Sequence, residues 1–204
     1  MPIAAIIVDF GGVLYFTPDV KWARRWQGWL GLKKDPLISA IIDSPEDSEI
    51  VEKIMVGEIT EAQVWQMMAD QFKVHPALVK FFRRSLISSR RLNREMMTFV
   101  DSLRPKYKTA ILSNAGSDAR SMFSDVFGFH RLVDEMIISA EERVAKPNQR
   151  IYQIAVERLG VQPEEAIFVD DLLPNVMAAH TFGLHAVHFK TTEQAMSEIQ
   201  ELLL

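Results

Sequence analysis

The chain has 204 residues, of which 48% are hydrophobic and 25% are charged, which is typical of a soluble protein with one well-buried core and a smaller additional unit. Its formal net charge of -4 argues against a surface that follows nucleic-acid phosphates. The absence of cysteine excludes disulfides, thiolate catalysis and cysteine-ligated metals, and it fits a reducing compartment.

The first predicted element is a strand. The apolar run IAAIIV occupies positions 3–8 and is followed by Asp9 and by the pair Gly11-Gly12. Such a run predicts a buried strand, with a carboxylate at its carboxyl end and a sharp turn after it. Because the run has no basic flank and soon meets an aspartate, we expect neither a signal peptide nor a membrane partner, and we expect a cytoplasmic location.

The segment from about residue 17 to residue 88 carries helical periodicity only. Within it, Thr60 and Gln63 have the spacing of a capping box, which predicts a helix that begins near Glu61. We therefore predict an α-helical domain over 17–88, inserted into a core formed by 1–16 and 89–204.

Three features of the segment attract attention but have ordinary explanations. Trp22, Trp26 and Trp29 recur at one-turn spacing, and we interpret this stripe as core packing rather than as a sugar-binding surface. The pairs Arg24-Arg25 and Arg83-Arg84 are interpreted as solvated helix faces.

Strands and helices alternate from residue 92 onward. The pattern predicts helices over 92–103, 118–126, 149–159 and 175–182, a last helix opened by Thr192, and strands over 109–112, 135–138, 166–169 and 186–189. Strands separated by helices of this length indicate βαβ units. Together with the first strand they predict an α/β fold: a doubly wound, Rossmann-like parallel sheet of about five strands.

Polar residues suited to phosphate chemistry follow several of these strands. They are Asp9, Ser113, Asn114, Lys146, Asp170, Asp171 and, one helical turn later, Asn175. A doubly wound sheet brings the carboxyl ends of its strands to one crevice, so these side chains should meet. Carboxylates from two strand ends suit a hard cation such as Mg²⁺, whereas a serine with a lysine suits a phosphoryl group.

The order of these motifs resembles the haloacid dehalogenase-like hydrolase superfamily. The matching segments are Asp9-Phe10-Gly11-Gly12-Val13-Leu14, Leu112-Ser113-Asn114, Lys146-Pro147 with Arg150-Ile151-Tyr152, and Phe168-Val169-Asp170-Asp171 with Asn175, Ala178-Ala179 and Gly183. The inserted helical segment, with Gly57-Glu58-Ile59-Thr60, is similar to the helical cap of this family. The chain looks most like its small sugar-phosphate phosphatases.

The resemblance implies specific roles for these residues. Asp9 would be the nucleophile that forms an aspartyl-phosphate, and Ser113, Asn114 and Lys146 would bind the phosphoryl group of a small phosphorylated metabolite. Mg²⁺ would be held by Asp9, the carbonyl of Gly11 and Asp171, with Asp170 and Asn175 as further candidates. Adjacent residues on one strand point apart, so Asp170 is the weaker candidate ligand and can instead orient Lys146. Mg²⁺ and Lys146 are expected to keep Asp9 ionised. We expect a monomer or a homodimer.

Gly11 departs from the family pattern. Most phosphatases of the family carry there a second aspartate that acts as general acid and base, and losing such a group typically costs about 10²–10⁴-fold in rate. Three possibilities remain open: a substitute acid from the cap or a water, substrates with good leaving groups such as anomeric phosphates, or a catalytically impaired binding or regulatory protein. A metal-free haloacid dehalogenase is a further alternative, against which the Asp170-Asp171 pair argues.

Arg143 is a smaller departure, because relatives usually have glycine in the loop before Lys146. Its guanidinium can either add a charge for phosphate or point to solvent, and we interpret it as solvent-exposed.

Overall fold

A computed structural model describes residues 2–16, 48–73 and 91–204. Its strands are β1 (Ala5–Val8), β2 (Tyr15–Phe16), β3 (Arg91–Leu92), β4 (Lys108–Ser113), β5 (Glu135–Ile138), β6 (Ala166–Asp170) and β7 (His185–His188). Its α-helices are α1 (Glu49–Met55), α2 (Glu61–Phe72), α3 (Arg94–Ser102), α4 (Ala119–Ser121), α5 (Ser139–Glu142), α6 (Gln149–Leu159), α7 (Leu173–Phe182) and α8 (Thr192–Leu202). The tryptophan stripe and both arginine pairs lie outside the described residues.

Five of the strands form one parallel sheet in the order β5-β4-β1-β6-β7. β1 is central and pairs with β4 and β6, so that Ile7 lies beside Ala110 and Phe168. Helices connect the successive strands of the sheet, and the predicted α/β architecture is confirmed. β1, whose four residues are all buried, therefore brings Asp9 to the middle of the sheet's carboxyl edge.

Alternate residues of β1 enter two apolar layers on opposite faces of the sheet. Ile6 and Val8 belong to the layer that includes residues of α3 and α8, whereas Ala5 and Ile7 belong to the layer that includes residues of α6 and α7. This alternation is the expected consequence of the two-residue period of a strand covered on both faces. Burial on both faces explains the nearly continuous apolar run in the sequence.

The segment predicted as one helix over 118–126 is divided. α4 ends at Ser121, and a π-helix over Met122–Val126 follows, in which the amide of Phe127 donates to the carbonyl of Met122. The ring of Phe123 stacks on Phe10, with 3.9 Å between the ring centroids. Periodicity alone did not distinguish this wider turn from an α-helix, because both place apolar residues on one face.

β2 and β3 form a short antiparallel pair that the sequence analysis did not predict. The pair joins the two ends of the segment predicted to be inserted, so the chain leaves the core and returns to it at one place. Within that segment, Thr60 and Gln63 form the predicted capping box at the start of α2. The extent of the helical domain over 17–88 stays a prediction, because 17–47 and 74–88 lie outside the described residues.

No helix within residues 2–16, 48–73 and 91–204 is both long enough and apolar enough to span a membrane.

Candidate active site

Lys146 joins two of the carboxylates at the carboxyl edge of the sheet. Its Nζ lies 2.8 Å from Oδ1 of Asp9 and 2.6 Å from Oδ2 of Asp170, and it also donates to the carbonyl of Leu112 at 3.0 Å. The three donors of the ammonium group thus each have an acceptor. Residues from the ends of β1 and β6 and from the loop after β5 meet here because their strands are parallel.

Burial strongly affects the charges of this cluster. Asp9 and Lys146 are only 7% and 5% exposed. Burial raises the pKa of Asp9 to about 7, although Lys146 acts in the opposite direction. Burial alone would lower the pKa of Lys146, but the carboxylates of Asp9 and Asp170 outweigh it and raise that pKa. Lys146 therefore stays charged, but it does not by itself keep the pKa of Asp9 low. We had expected Lys146, together with Mg²⁺, to keep Asp9 ionised, and Lys146 alone does not achieve this.

Asp170 is fully buried and is held from several sides. Its oxygens accept hydrogen bonds from Lys146 Nζ, from the amide of Leu172 at 2.8 Å and from Nδ2 of Asn175 at 3.0 and 3.1 Å. The hydroxyl of Tyr152 in turn donates to the carbonyl of Asn175. This network fits a residue that orients Lys146. Asn175 contacts Asp170 through its amide nitrogen, and its role as a metal ligand stays a prediction.

Asp171 is half-buried and lies directly against the turn after β1. A Cβ built on Gly12 would lie 2.0 Å from Oδ2 of Asp171, and Gly12 has φ of +73°. Nε2 of His188 donates to the carbonyl of Asp171 at 3.0 Å. Burial, with Asp170 as the second cause, raises the pKa of the Asp171 carboxyl. Sequence reasoning missed both contacts of Asp171; the Gly-Gly pair was the available signal for one, whereas nothing marked His188.

The carboxylates fit a hard cation. Asp9, Asp170 and Asp171 each offer an oxygen, and these atoms lie within 4.8 Å of one another. Three carboxylates against the single ammonium of Lys146 leave two negative charges unpaired when all four groups are ionised. Oxygen ligands of this kind are those that Mg²⁺ prefers. The residues present therefore suit a divalent ion, and the carbonyl of Gly11 remains a predicted further ligand.

The end of β4 supplies the residues predicted to bind phosphate. Ser113 is 4% exposed, and its hydroxyl makes no hydrogen bond to any residue in the described part of the chain. Asn114 and the backbone of Lys146 exchange two hydrogen bonds, from Nδ2 to the carbonyl at 2.9 Å and from the amide to Oδ1 at 2.8 Å. Asn114 thereby ties the loop of Lys146 to β4, and a direct contact of its side chain with substrate stays a prediction.

The space around Gly11, where most phosphatases of the family carry an aspartate, is open. Apart from the neighbours of Gly11 in the chain, no described residue has a heavy atom within 4 Å of a Cβ built on it, and the backbone there is outside the left-handed region. The structure thus has room for a side chain at residue 11 but provides none.

The sequence and the fold are those of a hydrolase family. Residues 3–183 match the haloacid dehalogenase-like hydrolase model, and the chain belongs to this family. The fold of a predicted HAD-like family hydrolase from Porphyromonas gingivalis is similar, with a TM-score of 0.78, 21% identity and coverage of 100% of this chain and 98% of that one. The HAD family enzyme bt-2542 from Bacteroides thetaiotaomicron, in complex with magnesium and inorganic phosphate, gives a TM-score of 0.75, 19% identity and coverage of 93% and 96%.

Curated proteins that are similar to this chain are named for different activities. Acyl-CoA dehydrogenase family member 10 of Mus musculus is 28% identical over 98% of this chain and 19% of its own length. Glyceraldehyde 3-phosphate phosphatase of Methanopyrus kandleri is 41% identical over 31% of this chain and 28% of its length. (S)-2-haloacid dehalogenase 4A of Burkholderia cepacia is 33% identical over 40% and 35%. The matched segments cover less than half of the length of each of these relatives.

Proposed function

We propose that this chain is a Mg²⁺-dependent phosphatase that hydrolyses a small phosphorylated metabolite, such as a sugar phosphate. The observation that carries the proposal is the bridge from Lys146 Nζ to Asp9 and Asp170, beside the third carboxylate of Asp171. The bridge joins the carboxylate of Asp9, which we propose as the nucleophile, to a fixed positive charge, beside carboxylate oxygens that are suited to a cation. Such an arrangement suits an anionic phosphoryl group.

Two similar proteins support this chemistry. The relative from Methanopyrus kandleri is named for phosphatase activity, and the Bacteroides thetaiotaomicron structure holds magnesium and inorganic phosphate.

In the proposed reaction, a carboxylate oxygen of Asp9 attacks phosphorus while the bond from phosphorus to the leaving oxygen breaks. The leaving group departs as an oxyanion that then takes a proton from water, and an aspartyl-phosphate remains on Asp9. Water then attacks that phosphorus, inorganic phosphate departs with the former water oxygen, and the carboxylate of Asp9 is restored. The positive charge of Lys146 and the hydroxyl of Ser113 stabilise phosphoryl oxygens as their negative charge redistributes.

The carboxylates of Asp9 and Asp171 would hold the cation, with the carbonyl of Gly11 as a third ligand. A divalent ion bound there supplies positive charge, which stabilises phosphoryl oxygens and favours the ionised form of Asp9. Asp170 keeps Lys146 in position through its ion pair with Nζ.

Gly11 narrows the choice of substrate. Because residue 11 has no acidic side chain, it cannot protonate a poor leaving group such as an alkoxide as that group departs. We therefore favour substrates whose leaving oxygen is stabilised without protonation, such as anomeric phosphates, or an acid supplied by the cap or by water.

Two other functions have an observation in their favour. The relative from Burkholderia cepacia is named as a haloacid dehalogenase, but the three clustered carboxylates favour a cation-dependent reaction. The lack of an acidic side chain at Gly11 fits a binding or regulatory protein without turnover.

The deciding experiment measures phosphate release from p-nitrophenyl phosphate with and without Mg²⁺. Turnover that requires Mg²⁺ and is lost in Asp9→Asn supports the phosphatase. Asp101→Asn is the matched control, because Asp101 is exposed at the end of α3. Halide release from a 2-haloacid without metal would support the dehalogenase instead. Binding of phosphate without turnover would support the binding protein.

A further inference from the structure

The loop between α1 and α2 packs directly on the core. Gly57, in this loop, has φ of +67°, and a Cβ built on it would lie 2.4 Å from the carbonyl oxygen of Ala140 in α5. No other residue type fits between the two backbones without displacing one of them. The loop therefore makes a close backbone contact with the region that follows β5.

Arg143 also contacts the same loop. Its Nη1 donates to the carbonyl of Gly57 at 2.6 Å. Arg143 also caps α5 with φ of +58°, a conformation that glycine adopts freely and that costs free energy for a residue with a Cβ. The arginine is exposed, as the sequence predicted, but its guanidinium contacts the loop between α1 and α2.

α5, which contains Ala140, is itself held in place by hydrogen bonds to neighbouring elements. Arg120 makes hydrogen bonds to both carboxylate oxygens of Glu141 and to the carbonyl of Met136. The hydroxyl of Ser139 accepts from the amide of Ala115 and donates to its carbonyl. α5 is thus fixed to the ends of β4 and β5.

A second close approach lies beside the first. A Cβ built on Gly116 would lie 2.8 Å from Oε1 of Glu61 and 3.0 Å from Cγ2 of Ile54. Gly116 follows Ser113 by three residues, and Arg143 precedes Lys146 by three. The segment from α1 to the start of α2 therefore contacts the chain that follows Ser113 and the chain that precedes Lys146, two of the residues predicted to bind phosphate.

We propose that Arg143 is a positioning residue, which with Gly57 and Ala140 forms a clasp that holds the α1–α2 loop closed over the edge of the candidate active site. The clasp fixes the loop against the chain that leads to Lys146, so it sets how closely this side of the site closes on a substrate. The kinetic part of the inference rests on the proposed phosphatase function, whereas the structural part does not.

Hydrogen exchange on the full chain tests the clasp without requiring activity. The amides of Gly57, Glu58 and Ile59 donate to carbonyls of Ile54 and Lys53, so their exchange reports local opening of the loop. Arg143→Gly removes the guanidinium and relieves the left-handed backbone. Exchange of these amides should rise by about three- to tenfold, as expected for the loss of one hydrogen bond, while the melting temperature does not fall. Arg143→Lys should recover part of the protection.

Lys73→Gly is the matched control, because Lys73 has φ of +51° at the end of α2, away from the clasp. It should leave exchange at 57–59 unchanged. If the chain is a phosphatase, Arg143→Gly should also raise KM for p-nitrophenyl phosphate by about three- to tenfold with kcat within about twofold, and Arg143→Lys should restore KM in part. Unchanged exchange at 57–59 in Arg143→Gly overturns the clasp, as does a rise that is uniform over the chain. Absence of turnover in the wild type overturns the phosphatase and leaves the exchange result to decide the clasp.

Discussion

The carboxylate of Asp171 lies where a side chain on residue 12 would have to be, 2.0 Å from the position of a Cβ built on Gly12. The turn after β1 thus contributes to the carboxylate cluster in two ways. Asp9 supplies one of the carboxylates, and Gly12, which has no side chain, leaves the space that Asp171 occupies. The candidate metal site therefore depends on this glycine as well as on the carboxylates.

Gly12→Ala should therefore displace Asp171 and weaken Mg²⁺ binding by about 10- to 100-fold, the usual effect of disturbing the support of a ligand. Calorimetric titration with Mg²⁺ measures this. Gly128→Ala is the control that distinguishes backbone strain from displacement of Asp171. Gly128 has φ of +74°, but apart from its chain neighbours no described residue has an atom within 4 Å of a Cβ built on it. Equal Mg²⁺ affinity in the two variants would show that the contact with Asp171 does not matter.

Gly11→Asp should keep the fold and Mg²⁺ binding and should raise turnover on alkyl phosphates, because the site has room for the carboxyl group. The gain can reach about 10²-fold if the new acid protonates the leaving group, and it should be smaller for p-nitrophenyl phosphate. Gly11→Asn, which has the same size without the acid, is the control. Turnover that is unchanged or lower in Gly11→Asp would count against a missing proton donor.

The stability of the metal-free protein should depend on pH through Asp9. Its pKa is raised in the folded chain to about 7 from an ordinary value of 3.8, so the folded state binds the proton more tightly. The contribution of Asp9 to the free energy of unfolding is full below pH of about 4, falls as pH rises, and is lost above about 7.

Asp9→Asn should accordingly be more stable than the wild type at pH 8 in EDTA, by up to a few kcal/mol at about 1.4 kcal/mol per pKa unit, and similar to it at pH 4. Urea denaturation at both pH values measures the difference. Mg²⁺ at pH 8 should stabilise the wild type more than the variant. A difference in stability that does not vary with pH would argue against the raised pKa.

Lys146→Met should destabilise the protein by about 3–5 kcal/mol, because it leaves Asp9 and Asp170 buried without their counter-charge. The loss of stability should be larger at pH 8 than at pH 5, since protonation of Asp9, whose pKa is raised to about 7, removes its charge at the lower pH. Denaturation curves at both pH values provide the measurement. Lys53→Met removes an exposed ion pair with Glu49 and should have the smaller effect at each pH.

Much of the fold followed from local patterns. The buried run before Asp9, the capping residue Thr60 and the alternation of strands with helices each correspond to an element in the structure. These signals are local. A strand that is buried on both faces requires a run of adjacent apolar residues, and a capped helix terminus requires a polar residue within one turn of the start of the helix. The pair β2–β3 and the π-helix left no comparable mark.

The sequence by itself determined the sheet, the family and the residues that stand at its strand ends. Only the tertiary structure decided how those residues are joined: that Lys146 bridges Asp9 and Asp170, that Gly12 makes room for Asp171, and that Arg143 contacts Gly57. These contacts link positions that are far apart in the chain. Their distances depend on how strands and loops pack, and periodicity along the chain carries no information about that packing.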